Sequence, residues 1–142
     1  MSGQVRYLFD SNLLSETRKP KPDPGALVFL KATDPNSVFI SVLTLGELRK
    51  GLVAKKLRDP DPNAASRLAA WVEGIEDSYA DRILGIDAAT ARLWGEWSAE
   101  RPRPVVDTLL AATAVVNNLT LVTRNIRDVR DTPVKLHDPW TG

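Results

Sequence analysis

At 142 residues the chain has the length of one domain with room for a full hydrophobic core, and residues 1–142 read as a single unit. It contains no cysteine and one histidine, which excludes thiol nucleophiles, disulfides, iron–sulfur clusters and zinc sites built on several Cys or His. The formal net charge of +1 announces no nucleic-acid partner, and the basic groupings Arg49-Lys50, Lys55-Lys56-Arg58, Arg101/Arg103 and Arg124/Arg127/Arg130 read singly as solvated faces or turns.

Val5 to Phe9 forms an apolar run that ends on Asp10-Ser11-Asn12, a strand followed by a short helical turn through Leu13, Leu14 and Glu16. "KPKPDPG" interrupts it, because three prolines in six residues forbid regular structure. "ALVFLKA" resumes helical spacing. Val38 to Ser41 is β-branched and apolar, a second strand, and from Thr44 the leucines at 45, 48 and 52 mark a helix. "DPDPN" supplies a turn and helix caps for a segment from Ala64 that carries Leu68, Trp71, Val72 and Ile75. Ile83 to Ile86 is a third strand, and Ala88 to Glu100 a helix whose Trp94 and Trp97 suit either the core or a partner surface. After "RPRP", "VVDTLLAATAVVNN" is a helix apolar nearly all round. "LTLVTRN" and "VKLHD" are the fourth and fifth strands. Strands alternating with helices predict an α/β fold with a parallel sheet covered on both faces.

Without thiols and with a single histidine, catalysis falls to carboxylate, hydroxyl, Lys and Arg chemistry, with Mg²⁺ or Mn²⁺ as the natural cofactor. A Ser–His–acid triad would have to use His137, near the C-terminus. No stretch approaches the ~18 apolar residues of a membrane span, and nothing resembles a signal peptide, so a cytoplasmic protein without a membrane partner is expected.

Ligands collect outside the carboxyl ends of parallel strands. Asp10 sits there, as does the loop with Asn125 and Asp128. Glu47 lies one turn into the helix after the second strand, among Leu43, Thr44, Gly51 and Ala54, either a helix-surface acid or a carboxylate facing a cleft. Asp107 opens a buried helix, where an ionised carboxylate must be hydrogen-bonded to free backbone N–H groups, paired, or bound to metal. Converging acids repel by roughly 4 kcal/mol per pair at ~4 Å and an effective dielectric of ~20. A divalent cation resolves that repulsion, and a metal-activated water then suggests phosphodiester hydrolysis.

"YLFDSNLLSETRKP", "SVLTLGELRKGL", "RPRPVVDTLLAATAVVNNLTLVTRNIRD" and the closing "DPW" resemble the PIN-domain ribonucleases, and among them the VapC toxins of type II toxin–antitoxin modules. The resemblance runs from Tyr7 to Trp140. It implies a three-layer α/β/α fold around about five parallel strands. It also implies Mg²⁺ or Mn²⁺ held by Asp10, Asp107 and Glu47, with Ser11, Asn12 and Thr123 orienting the site. The family's fourth acidic position falls on neutral Asn125 or on Asp128, and Val129 stands where many members have Phe. Arg49, Arg124 and Arg127 would lie near the acids and grip RNA. A homodimer is implied, joined in a larger assembly by a small antitoxin whose C-terminal segment covers the site.

Two other readings compete. A phosphatase or phosphotransfer domain would use Asp10 as acceptor, but the second Asp of haloacid-dehalogenase-type phosphatases is Asn12 here. Asp87 imitates a receiver-domain acceptor without a convincing late-strand Lys. A PIN-like interaction module without catalysis is the alternative from another class.

Overall fold

Five strands of two to four residues make one parallel sheet: β1 (Tyr7–Phe9), β2 (Val38–Ser41), β3 (Ile83–Leu84), β4 (Thr120–Val122) and β5 (Lys135–His137). Their order is β3-β2-β1-β4-β5. Tyr7 stands opposite Val38 on one side and Thr120 on the other, and Leu121 opposite Leu136. The computed structural model describes residues 4–141.

Alternation along these strands feeds two cores, since successive side chains point to opposite faces. Leu8 and Leu121 join Trp97, Leu110, Ala111 and Val129 on one face. Phe9, Val122, Val38 and Ile40 join Leu13, Ala26, Leu48, Val72 and Trp140 on the other. The first face is covered by α5 (Ala88–Glu100) and α6 (Val105–Val116). The second is covered by α1 (Ser11–Glu16), α2 (Pro24–Ala32), α3 (Val42–Arg58) and α4 (Pro62–Ser78). This is the expected three-layer arrangement. Burying each large aliphatic side chain in these cores contributes about 1.5–3 kcal/mol.

Both tryptophans of α5 belong to the core: Trp97 is buried and Trp94 packs against the same cluster. Helix starts follow local chemistry. Asp10, Asp23, Ser41, Asp61 and Asp87 cap α1 to α5 by accepting a backbone N–H. α4 begins two residues earlier than its apolar spacing suggests, because Asp61 and Pro62 form a cap and first turn. α3 likewise begins at Val42, directly after the Ser41 cap. The strand runs are trimmed to the residues that pair, and α6 closes at Asn117, followed by Asn118 at φ 56°. A 3-10 turn at Pro35–Ser37 has no counterpart in the periodicity. Among the described residues no helix is long and apolar enough to cross a membrane.

The chain leaves central β1 towards β2 and β3, then crosses back to β4 and β5. The direction reverses between β1 and β4, where an open parallel sheet forms a crevice at its carboxyl edge. Asp10 and Thr123 are the residues that follow those two strands.

Candidate active site

Asp10 is both cap and candidate ligand. Its Oδ1 accepts the Leu13 N–H at 2.9 Å, capping α1, and its Oδ2 accepts the Thr123 hydroxyl at 2.6 Å. Only 5% of its surface is exposed. Burial raises its pKa, opposed by the hydrogen bonds from Thr123 and Leu13, while the negative charges of Glu47 and Asp107 raise it further.

Glu47, one turn into α3, is exposed, and its Oε1 accepts the Ser11 hydroxyl at 3.0 Å. It lines a cleft of about 740 Å³ with Ser11, Leu43, Gly46, Lys50 and Val106. The small residues around Glu47 leave that space open.

Asp107 lies in the first turn of α6, a helix whose N-cap, Pro104, offers no side-chain acceptor. Among the described residues its carboxylate accepts no hydrogen bond, so the free N–H groups of the first turn do not satisfy it. Burial raises its pKa, and the negative charge of Asp128 adds to the rise. A half-buried carboxylate with an acid for its charged neighbour is costly to ionise unless a counter-charge joins it.

Asp128 is brought to this edge by the loop after β4. The Asp128 backbone carbonyl accepts Arg101 Nη2 at 3.0 Å and Arg103 Nη1 at 3.1 Å. The acids therefore run in the order Glu47, Asp10, Asp107, Asp128, each within electrostatic reach of the next. Among the described residues no three acidic or histidine side chains form a group that could by itself hold a metal ion. Mg²⁺, by contrast, needs only one or two carboxylates and completes its shell with water and substrate phosphate.

The profile of the PIN domain matches residues 7–134. The chain belongs to the PIN-domain family. Over 138 residues it is 28% identical to Toxin FitB of Neisseria gonorrhoeae, covering 94% of this chain and 97% of that one. Ribonuclease VapC4 of Mycobacterium tuberculosis is 31% identical over 122 residues, which cover 76% of this chain and 87% of the relative. The crystal structure of FitAcB from Neisseria gonorrhoeae aligns with TM-score 0.84 at 25% identity, over 96% of this chain and 99% of that chain.

In this PIN domain the other expected residues divide. Ser11 and Thr123 contact the acids directly. Asn12 is exposed, and among the described residues its amide reaches neither Asp10 nor Glu47. Asn125 is exposed and donates its backbone N–H to the Thr123 hydroxyl at 3.0 Å, so it is Asp128 whose charge acts on Asp107. Val129 is fully buried in the core. Arg49 is exposed and donates to Glu76 on α4 at 2.6 and 3.2 Å. Arg124 lies over the Trp140 ring at 5.2 Å, and Arg127 is exposed on the loop with Asp128. Asp87 is the cap of α5, and the His137 ring packs on Phe29.

Sequence reasoning passed over two groups in this PIN domain. Glu16 is 3% exposed, accepting the Trp140 indole N–H at 3.0 Å and the Asp23 N–H at 2.8 Å. Arg103, read as a solvated turn residue, has a fully buried side chain. A basic residue four positions before an acid in the first turn of an apolar helix is a weak signal, but it was available.

Proposed function

We propose that the chain is a metal-dependent endoribonuclease, the toxin of a toxin–antitoxin pair. The single observation behind this reading is Asp107: half-buried, without a hydrogen bond among the described residues, and beside other acids at the carboxyl edge of the sheet. Mg²⁺ or Mn²⁺, held by Asp10 and Asp107 with Glu47 and Asp128 flanking, would lower the pKa of a bound water and offset charge on the phosphoryl oxygens. Asp10 is fixed for this role by Thr123 and the α1 backbone, and Ser11 fixes Glu47. Arg127 and the cleft residue Lys50 supply positive charge for RNA phosphates.

The same cleft fits an antitoxin segment. Val42, Leu43 and Val106 give it an apolar floor, Glu47 would receive an Arg or Lys of the partner, and Val53, Leu57 and Val105 leave apolar surface exposed nearby. Relatives named as toxins and ribonucleases support both parts of the reading.

The test is cleavage of RNA with Mg²⁺ or Mn²⁺, with and without EDTA, for wild type, Asp10→Ala and Asp107→Ala. Chelator-sensitive cleavage lost in both variants is expected. Cleavage indifferent to EDTA and to both substitutions sinks the proposal, and a folded, inert wild type that still binds an antitoxin would make it an interaction module.

A further inference from the structure

We propose that Arg103, assisted by Arg101, is a positioning residue that clamps the element carrying Asp107 to the loop carrying Asp128, so that two repelling carboxylates face one ion. This rests on the nuclease reading above. The Arg103 side chain is fully buried. Its Nε donates to the Trp97 carbonyl at 2.9 Å, anchoring it to α5, and Nη2 reaches Glu100 at 3.0 Å. Its two terminal nitrogens take Asp131 as a fork, Nη1 to Oδ1 at 2.9 Å and Nη2 to Oδ2 at 3.1 Å, and Nη1 also donates to the Asp128 carbonyl. Arg101 repeats the pattern on Asp131 and on the same carbonyl. Arg103 directly precedes Pro104, the cap of the helix on which Asp107 sits.

A planar guanidinium can make all these bonds at once, and a lysine ammonium cannot. Through the Asp128 carbonyl these bonds hold the loop beside the start of α6, within electrostatic reach of Asp107. The clamp therefore acts through backbone and Asp131, touching neither substrate nor metal.

Arg103→Lys keeps the charge and loses the fork. The expected result is Mn²⁺ affinity weakened about 10- to 100-fold in calorimetry, as for lost outer-shell partners of other metal sites, with kcat lowered and KM for RNA little changed. Amide deuterium exchange should accelerate at Val129, Arg130 and Thr132, which close the loop onto Ile126 and Val129. Adding Asp107→Asn to Arg103→Lys should restore the protection of these amides, a rescue that a merely structural role would not produce. If Arg103→Lys fails to fold, Arg101→Gln and Asp131→Asn carry the same comparison at half-exposed side chains. A folded Arg103→Lys with unchanged Mn²⁺ affinity and exchange, or exchange that Asp107→Asn does not rescue, overturns the proposal. If wild type neither binds Mn²⁺ nor cleaves RNA, the nuclease reading falls separately, and the exchange comparison alone decides whether the clamp exists.

Discussion

Thr123 donates its hydroxyl to Asp10 at 2.6 Å, joining residues 113 positions apart at the ends of β1 and β4. The same oxygen accepts the Asn125 N–H, so one hydroxyl ties the acid to the loop behind it. Thr123→Val should cost about 1–3 kcal/mol, because it leaves a buried carboxylate oxygen and a backbone N–H without partners. Urea unfolding should show a lower midpoint at unchanged slope, with Thr123→Ser close to wild type. A Val variant as stable as wild type would mean the bond carries no net stability.

Asp107 sets a pH dependence of definite sign. Its pKa is raised from the ordinary 3.8, first by burial and then by Asp128. Between the unfolded and folded values the native state binds more protons, so this group makes stability fall as pH rises through that window. Without divalent ions, Asp107→Asn should be the more stable protein at neutral pH. The gain should stay below about 1 kcal/mol, because solvent screens a half-exposed group, and should vanish under acid conditions where both states are protonated. Mn²⁺ at about 100 times its Kd should stabilise wild type by ~2.7 kcal/mol and the variant much less. Thermal melts across pH, with and without Mn²⁺, check both halves; a variant less stable at neutral pH without metal contradicts the first.

Asp128 and Asn125 should separate cleanly. Asp128→Asn removes the charge that acts on Asp107 and should weaken Mn²⁺ binding about tenfold, the low end of the effect of supporting groups at metal sites. Asn125→Ala removes an exposed side chain and should change affinity less than twofold, within about 0.5 kcal/mol. The reverse ranking in calorimetry would move the fourth position to Asn125.

Glu16 and Trp140 fasten the C-terminal segment to α1. Glu16→Ala strands the buried indole N–H and the Asp23 N–H, so about 2 kcal/mol or more should be lost. The Asp23 N–H, then Trp140, lowers the Glu16 pKa below 4.5. That contribution is present above the unfolded value and is lost as pH falls through the folded one. The gap between wild type and variant in denaturant titrations should narrow on acidification, and a constant gap would assign the loss to packing.

Element type and most boundaries were legible because they depend on near neighbours. Asp10, Asp23, Ser41, Asp61 and Asp87 cap helices through N–H groups two or three residues away, and strand alternation assigns Leu8 and Phe9 to different cores. The motif acids were legible too, as a resemblance built on Asp10, Glu47 and Asp107. The pairing of Arg49 with Glu76 was not legible, because Glu76 lies on a different helix and spacing within α3 carries no trace of it.

Sequence by itself determined the alternation of strands and helices, the capping pattern and which acids stand at strand ends. Only the tertiary structure decided that β4 lies beside β1, that Thr123 therefore reaches Asp10, that Asp128 rather than Asn125 acts on Asp107, and that Arg103 is buried. Parallel strands pair through backbone bonds that look alike at every register, and their partners arrive after crossovers of dozens of residues. Contacts of that kind depend on chain topology and packing, which no local window of residues encodes.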